Sequence, residues 1–211
     1  TPMIVHVLRR AGSIKGVDSV LVATDDRRIA DAVTAAAGRA VITSEYHDTG
    51  TSRVREVVFD NDSDIVLNIQ GDEPLLPVKG VEKLIEVMKT DRSVKMGTLA
   101  SFSDSETEMN SRDVVKVVFD LSGNALYFSR LPVGVSGGGF HRHIGIYIYR
   151  RSFLLEDENL PRGPLEKIES LEQLRALENG IDIRVITCRA VSGGVDRPED
   201  IKRVESFFDN L

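Results

Sequence analysis

Residues 64–74 read Asp-Ile-Val-Leu-Asn-Ile-Gln-Gly-Asp-Glu-Pro, which is the clearest strand pattern in the chain. A short apolar run that ends at a glycine and a proline is typical of a buried strand followed by a turn. In open α/β sheets ligands bind at the carboxyl ends of strands, so Asp72 would project a carboxylate into a crevice. Gly71 would let a ligand approach the backbone closely. A carboxylate in this place suits Mg²⁺, and a solvated acid in a simple turn is the alternative.

Strand and helix patterns alternate on both sides of this run, which predicts parallel pairing with helices on both faces of a sheet. The predicted strands are residues 18–24, 40–43, 64–70, 94–102, 114–119, 125–128, 141–149 and 181–191. The predicted helices are residues 2–10, 26–37, 52–58, 81–88, 164–177 and 198–211. Because the later strands add antiparallel pairing, the expected fold is α/β with a doubly wound, mostly parallel but mixed sheet. We expect a single domain over residues 1–211.

Punctuating residues mark where four of these helices begin or end. Thr1 is expected to cap the first helix, with Pro2 at its first helical position. Gly38 would end the second helix, and Ser52 would open the third. The last helix would be capped by Asp196 or Arg197 and started by the proline that follows them.

Composition limits the classes of function. Of the 211 residues, 41% are hydrophobic and 28% are charged, as in ordinary globular proteins. No run approaches the roughly 18 apolar residues of a membrane span, and no secretory signal is visible. A net charge of −6 without a basic tract argues against a nucleic-acid partner. The lone cysteine, Cys188, excludes a disulfide within the chain; a buried small hydrophobe is expected there, consistent with a reducing cytoplasm.

A second acid follows the last predicted strand, where Gly194 and Val195 precede Asp196. Asp196 at a strand end next to that of Asp72 would complete a metal clamp of two carboxylates. Spacing alone only suggests this clamp, and a helix-capping aspartate explains Asp196 as well.

The predicted strand over residues 141–149 has two different faces, because alternate residues share a face. Ile144, Ile146 and Ile148 must face the core. The opposite face carries His141, His143, Gly145, Tyr147 and Tyr149. Hydroxyl and imidazole groups beside a glycine suit a polyhydroxylated ligand, and ordinary aromatic pairs on a half-exposed strand are the alternative. A zinc site is disfavoured because the two histidines have no third ligand near them in the sequence.

Polar groups elsewhere also allow both a functional and a purely structural interpretation. The loop over residues 47–53 places hydroxyls, a glycine and Arg53 before a helix, where they would contact a nucleotide or simply cap the helix. Thr24 and Asp25, at another strand end, have the same ambiguity. Several acidic and amide side chains lie on the predicted helix over residues 164–177, where a solvated charged face is the simpler interpretation. They are Glu166, Glu169, Glu172 and Gln173.

Together these stretches resemble the 3-deoxy-manno-octulosonate cytidylyltransferases, also called CMP-Kdo synthetases. The matching stretches run in family order: Pro2-Met-Ile-Val-His-Val-Leu, Val22-Ala-Thr-Asp, Thr49-Gly-Thr-Ser-Arg, Asn68-Ile-Gln-Gly-Asp-Glu-Pro, Val114-Val-Lys-Val-Val, Ala125-Leu-Tyr-Phe-Ser-Arg, Arg142-His-Ile-Gly-Ile-Tyr, Pro164-Leu-Glu, Leu171-Glu-Gln-Leu-Arg and Gly194-Val-Asp-Arg-Pro-Glu-Asp. The family begins with a strand and a loop rich in Arg, Gly and Lys that holds the CTP phosphates, and we expect that segment to be missing before Thr1. Thr49 and Ser52 stand where the family more often has Ser and Glu, and the loop over residues 134–140 is short.

The resemblance implies a nucleotidyltransferase-type fold, with a small antiparallel dimerisation and sugar-binding extension over residues 112–150. It implies a cytoplasmic, homodimeric, Mg²⁺-dependent enzyme that transfers CMP from CTP to the anomeric 2-hydroxyl of Kdo. Pyrophosphate would be released, and CMP-Kdo would serve lipopolysaccharide biosynthesis. Asp72 and Asp196 would be the catalytic residues and the metal ligands.

The family pattern also assigns the substrate contacts. The implied CTP-side residues are Thr24, Asp25, Gly50, Thr51, Arg53, Gln70 and Gly71. The implied sugar-side residues are Arg130, His143, Tyr147, Glu169, Glu172 and Gln173. The role of His141 stays open between substrate and partner chain. Two alternatives remain: another sugar-acid cytidylyltransferase such as a CMP-sialic acid synthetase, or a non-catalytic homologue that binds nucleotide sugars.

Overall fold

The structure, a computed structural model, describes residues 1–134, 138–189, 194–195 and 198–208. The helices are α1 (Met3–Gly12), α2 (Arg27–Ala35), α3 (Gly50–Phe59), α4 (Val78–Thr90), α5 (Glu106–Asn110), α6 (Arg151–Glu156), α7 (Pro164–Glu169), α8 (Gln173–Glu178) and α9 (Pro198–Phe208). The strands are β1 (Leu21–Thr24), β2 (Arg39–Ile42), β3 (Ile65–Asn68), β4 (Met96–Ser103), β5 (Lys116–Phe119), β6 (Ala125–Ser129), β7 (Phe140–Arg150) and β8 (Ile183–Thr187). Within the described ranges, every helix is too short or too polar to cross a bilayer.

Two compact units, interleaved along the sequence, make up the chain. The first contains residues Thr1–Asn61, Ile69–Glu82 and Ala190–Leu211, and the second contains Asp62–Asn68 and Lys83–Arg189. This division leaves the expected single domain over residues 1–211 as a prediction.

The first unit contains a parallel pair of strands, β1 and β2, in register from Leu21 opposite Arg39 to Thr24 opposite Ile42. Its helix α2 ends differently from the expectation. The residue in the left-handed conformation is Ala37, with φ of 60°, and not Gly38. Gly38 is needed for a different reason, because a β-carbon there would overlap the side chain of Leu8. The glycine therefore allows close packing of the chain after α2 against α1.

The second unit is built on one sheet with strand order β6-β5-β7-β4-β8, in which β3 also pairs with β7. Strand β4 lies along one edge of β7. Two strands share the other edge: β5 pairs opposite Arg142, and β3 pairs opposite Tyr147–Arg150. These pairings of β7 are antiparallel, whereas β4 pairs with β8 in parallel. The predicted mixed α/β class with flanking helices is confirmed. The expected mostly parallel pairing is wrong for the described strands, since four of their six pairings are antiparallel. Strand β3 has an antiparallel neighbour because β7 returns beside it.

The core of the second unit lies where the inward face of β7 meets α4. Ile146 and Ile148 have no exposed surface, and neither has Leu84 of α4. A β-carbon on Gly97 would lie 2.7 Å from Leu84 and 3.2 Å from Ile148. Since protein interiors are close-packed, this glycine in β4 allows the helix to approach the sheet.

The single helix predicted over residues 164–177 is in fact two helices. Ser170 adopts a left-handed conformation with φ of 54°, which ends α7 before α8 begins. A side chain of α8 caps the amino end of α7. The backbone N–H groups of Leu165 and Glu166 donate to the Glu178 carboxylate at 2.9 and 3.0 Å. The acceptors that complete α7 therefore come from the second helix, so the two helices stabilise each other.

Glu166 forms the second tie between α7 and α8. Its side chain is 1% exposed, and its carboxylate accepts hydrogen bonds from Arg175 at 2.6 and 2.9 Å and from Arg162 at 2.9 Å. The expectation of a solvated charged face over residues 164–177 is wrong for this residue. A paired arginine makes burial of the carboxylate possible.

Two helix starts are shifted by a few residues from the expectation. The residue before α1 is Pro2, in an extended conformation, and not Thr1. Helix α3 is capped by Thr49 rather than Ser52, because the Thr49 hydroxyl accepts from the Ser52 N–H at 3.2 Å. The predicted caps Asp196 and Arg197 lie outside the described residues.

Cys188 lies one residue beyond β8 and is half-buried, so the expectation of a fully buried hydrophobe is only partly right. Its backbone N–H still donates to Ala100 at 2.8 Å. Burial raises the pKa of the thiol, which keeps it in its unreactive protonated form.

Candidate functional site

At the carboxyl ends of β1 and β2, Arg53 joins several polar groups of the first unit. Its guanidinium donates to the Thr43 hydroxyl at 2.7 Å and to the Asp25 carboxylate at 3.0 Å. Thr43 is held to β1 because its N–H donates to the Thr24 carbonyl at 3.0 Å. Thr24 is itself 5% exposed, and its hydroxyl accepts from the Asp26 N–H at 3.1 Å. The result is a fixed polar edge, as expected where ligands meet an α/β sheet.

The amino end of α3 lies against Gln70. Gly50 is the first residue of the helix, and a β-carbon there would stand 2.9 Å from the Nε2 atom and 3.3 Å from the Oε1 atom of Gln70. The glycine therefore lets the Gln70 amide lie this close to the helix, and a larger residue would displace that amide. The exposed amide of Gln70 is presented beside the first turn of the helix.

The turn that follows Gln70 meets the segment that precedes Asp196. Val195 donates its N–H to the Asp72 carbonyl at 2.8 Å, and a β-carbon on Gly194 would lie 3.0 Å from the same oxygen. Asp196 itself lies outside the described residues, but the backbone next to it is anchored to Asp72.

The chemistry of the Asp72 side chain fits a magnesium ion. Asp72 supplies a hard carboxylate oxygen, and Mg²⁺ in nucleotide sites takes one or two carboxylates together with substrate phosphates. In the part of the chain that the structure describes, no cluster of three or more His, Cys, Asp or Glu side chains is arranged for a metal. A dedicated all-protein cage, as zinc would need, is therefore not present among the described residues.

In the second unit, β7 shows the predicted alternation of faces. Ile144, Ile146 and Ile148 are buried, while His143 and Tyr147 are half-buried on the opposite face. Tyr149 departs from the pattern, since it is only 2% exposed. Between the two half-buried rings, a β-carbon on Gly145 would meet nothing within 4 Å. Open space therefore lies beside the imidazole and the phenol.

The imidazole of His143 is held in a mainly apolar environment. Phe128 contacts its ring edge-on with centroids 5.1 Å apart, and the Tyr147 ring lies 5.4 Å away. Its Nε2 atom lies 2.9 Å from the hydroxyl of Thr98. Burial lowers the pKa of His143 to about 3, so the ring is neutral at physiological pH.

Tyr147 is kept neutral as well. Burial raises the pKa of its phenol well above the usual value, and the charges of Tyr149 and Glu172 act in the same direction. Glu172, just before α8, is thus close enough to influence this hydroxyl. The next residue, Gln173, is buried with 6% exposure. Of the predicted sugar-side residues, Glu172 therefore acts on Tyr147 through its charge.

Arg130 and Glu169 form a separate pair. The Glu169 carboxylate accepts from Tyr127 at 3.1 Å, from Ser129 at 3.2 Å and from the Arg130 N–H at 2.9 Å. The Arg130 side chain donates to the backbone carbonyls of Glu169 and Arg112, both at 3.0 Å. Among the described residues the Nη2 atom has no hydrogen-bond partner, so one side of the guanidinium stays available.

His141 packs between two phenylalanine rings. Phe119 lies 4.8 Å and Phe102 5.9 Å from its ring centroid, both edge-on. Burial lowers the pKa of His141. These contacts fit the aromatic-pair alternative for this one residue, and its role stays open.

Comparison with known proteins identifies the family. A family model described as cytidylyltransferase matches residues 1–183. The chain belongs to the cytidylyltransferase family. A 3-deoxy-manno-octulosonate cytidylyltransferase of Syntrophotalea carbinolica is 44% identical over 99% of this chain and 89% of its own length. The relative of the same name from Geobacter metallireducens is also 44% identical, over 96% of this chain and 86% of its own length. These relatives confirm the resemblance inferred from the motifs.

Solved structures of cytidylyltransferases agree with this placement. One described as CMP:2-keto-3-deoxy-manno-octonic acid synthetase complexed with CTP superposes with a TM-score of 0.94 at 39% identity. It covers all of this chain and 88% of its own. A 4-diphosphocytidyl-2C-methyl-D-erythritol synthase, at 18% identity and a TM-score of 0.63, shares the fold.

Within the cytidylyltransferase fold, the predicted site residues form small groups. Thr24, Asp25 and Arg53 meet at one edge, and Gly50 meets Gln70. His143 and Tyr147 lie on one face of β7, and Arg130 meets Glu169. Gly71 adjoins Asp72, and Thr51 lies in the first turn of α3. The assignment of all of them to substrates stays a prediction.

The sequence analysis assigned no role to two polar residues on the His143 face of the second unit. Thr98 is fully buried against His143, and Asn68 is 3% exposed opposite Tyr147. The Nδ2 atom of Asn68 is the one buried side-chain polar atom without a partner among the described residues. A polar residue inside an apolar strand run was the available signal in both cases.

Proposed function

We propose that this chain transfers CMP from CTP to the anomeric 2-hydroxyl of Kdo, with release of pyrophosphate, and so makes CMP-Kdo for lipopolysaccharide biosynthesis. The observation that carries the proposal is the superposition over the whole chain, with a TM-score of 0.94, on a synthetase of that sugar acid complexed with CTP. Curated relatives at 44% identity with the corresponding name support it.

In the proposed reaction, Asp72 and Asp196 would hold Mg²⁺. The ion, when bound, would supply positive charge to the phosphates and to the departing pyrophosphate. The chain's own contribution is orientation: the backbone bond from Val195 to Asp72 fixes the turn that carries the first carboxylate. Gln70 and Arg53 would face the nucleotide, together with the rest of the CTP-side group. That group comprises Thr24, Asp25, Gly50, Thr51 and Gly71.

The sugar acid would be held by the second unit. Neutral His143 and Tyr147 offer hydrogen bonds to hydroxyls without attracting a counter-ion, because neither group is charged at physiological pH. Arg130 offers the remaining edge of its guanidinium to the carboxylate, a pairing favoured by its planar geometry. Glu169, Glu172 and Gln173 would complete this side.

Two further properties accompany the proposal. We infer a homodimer, since the 112–150 subregion exposes Leu121 and Leu126, which are 109% and 63% exposed. Light scattering that gives the mass of a single chain would contradict it. We also infer a cytoplasmic bacterial enzyme, because CTP is a cytoplasmic substrate; fractionation of the source cells tests that.

The deciding experiment is pyrophosphate release from CTP and Mg²⁺, measured with Kdo and with sialic acid on the longest chain that the gene encodes. Release with Kdo alone is expected. Release with sialic acid alone would replace the substrate, and release with neither, from a folded protein, would favour a non-catalytic binding protein.

Replacing Gly50 by alanine is expected to raise the KM for CTP about tenfold, which corresponds to about 1.4 kcal/mol. The new methyl group would stand 2.9 Å from the Gln70 amide and must push that side chain aside. Because Gln70 is exposed and flexible, the free energy of unfolding should change little.

Gly12→Ala at the end of α1 is the matched control, since its β-carbon would meet nothing within 4 Å. Steady-state kinetics should leave this control at the parent KM. Equal KM values for both variants would mean that Gln70 does not contact CTP.

A further inference from the structure

The hydroxyl of Thr98 has three polar neighbours. The backbone carbonyls of Ile146 and Ile144 lie 2.8 and 3.2 Å from its oxygen, and the Nε2 atom of His143 lies at 2.9 Å. The pairing of β4 with β7 explains the crowding, because Thr98 faces Tyr147 while the next residue of β4 faces Ile144. The extra residues of β7 form a bulge, which turns two carbonyls toward Thr98.

The chemistry of these groups favours one direction for each hydrogen bond. A hydroxyl has one proton to donate, and a carbonyl can only accept. Both carbonyl contacts have the geometry of a bond donated by Thr98, with Ile146 the nearer, and a hydroxyl that donates there is left to accept from His143. Nε2 of His143 then carries the ring proton. Thr98 has no exposed surface, so water does not compete for these bonds.

The other ring nitrogen of His143 is consequently a bare acceptor. A neutral imidazole carries a single ring proton, and burial, which lowers the pKa of His143 to about 3, keeps it neutral. Nδ1 has no hydrogen-bond partner among the described residues. Among those residues the buried side-chain atom without a partner is Nδ2 of Asn68, so Nδ1 of His143 is not buried in that sense. Solvent or a ligand can reach it.

We propose that Thr98 is a positioning residue that holds His143 as the Nε2–H tautomer, so that Nδ1 accepts a hydrogen bond from a hydroxyl of the sugar acid. The identity of the ligand rests on the proposed function; the tautomer does not. An acceptor with no proton cannot bind a carboxylate. His143 therefore binds a hydroxyl of the substrate, and the carboxylate must be bound by other residues.

The tautomer can be measured on the full, ligand-free chain by nitrogen-15 NMR of labelled histidine. The chain has four histidines, and His143→Gln identifies the resonances of this one. We expect one set of signals with the proton on Nε2, unchanged between pH 6 and 8. A proton on Nδ1, or a charged ring at pH 6, would overturn the proposal without any variant of Thr98.

Thr98→Val removes the hydroxyl and keeps the shape of the side chain, and Thr98→Ser keeps the hydroxyl. The valine variant should show a mixture of tautomers and a KM for Kdo raised about tenfold, with the KM for CTP unchanged. The serine variant should keep the parent tautomer and KM. A single Nε2–H tautomer in the valine variant would show that Thr98 does not position the ring.

The ligand half of the proposal has its own readout. Addition of Kdo should shift the Nδ1 resonance of His143 in the parent chain. If the parent releases pyrophosphate with Kdo but Nδ1 does not respond, the hydroxyl contact is wrong. If the parent is inactive with every sugar acid, the proposed function fails, while the tautomer result stands by itself.

Discussion

Asp72→Asn is expected to slow pyrophosphate release about a thousandfold, a loss of roughly 4 kcal/mol of transition-state stabilisation. The amide keeps the size of the carboxylate but removes the charge that the proposed magnesium site requires. The backbone carbonyl of Asp72, which accepts from Val195 at 2.8 Å, is untouched. The free energy of unfolding should therefore stay near that of the parent. Single-turnover kinetics over a range of Mg²⁺ concentrations measures the loss.

Glu73→Gln is the control for Asp72→Asn, since it removes the same charge from the adjacent residue of the same turn. We expect this variant to remain within about threefold of the parent, because the net field of the turn contributes little beside direct coordination. Near-normal activity of Asp72→Asn with Mg²⁺ would show that the metal assignment is wrong.

Glu166→Gln is expected to lower the free energy of unfolding by about 3 kcal/mol, the lower end of the range for breaking a buried ion pair. The substitution leaves the guanidinium of Arg175 with a neutral partner, at a position where the glutamate is 1% exposed. Arg162 contributes little, because its side chain is 62% exposed. Urea unfolding followed by circular dichroism gives the number.

The pH dependence of Glu166→Gln has a definite sign. The hydrogen bond from Arg175, more than that from Arg162, lowers the pKa of Glu166 below its usual value of 4.5. Because the folded-state pKa is the lower one, the stabilisation is complete above about pH 4.5 and is lost as pH falls through the folded value. The gap between parent and variant should close in acid. The matched control is Glu156→Gln, an exposed residue of α6, which should behave like the parent. A constant gap down to the acid transition would contradict the ion-pair explanation.

Local patterns predicted the elements well where the period of the sequence was clear. The alternation in β7 correctly separated the buried isoleucines from His143 and Tyr147, because strand geometry depends only on neighbouring residues. The break between α7 and α8 could not be predicted in this way. It depends on a left-handed Ser170 and on the pairing of Glu166 with Arg175, which tertiary packing selects against helix propensity.

The candidate site was predictable in its motifs and not in its supporting contacts. The sequence drew attention to His143, but Thr98 lies 45 residues earlier, and only the bulged pairing of β4 with β7 joins the two. Asn68 was part of a recognised motif, yet its burial opposite Tyr147 depends on a strand that follows much later. Pairings of this kind are set by the fold as a whole, and a single sequence does not reveal them.

Strand β7 pairs with β4 on one side and with β3 and β5 on the other. This arrangement affects folding during synthesis of the chain on the ribosome. The last residue of β3 precedes the end of β7 by about 80 residues. At roughly 5–20 residues per second, a ribosome needs about 4 to 16 seconds to supply that partner. Throughout this time the apolar strand β3 lacks its antiparallel neighbour, and an unpaired strand edge invites aggregation. A lower growth temperature or a larger supply of chaperones during expression should therefore raise the yield of this protein more than its final stability.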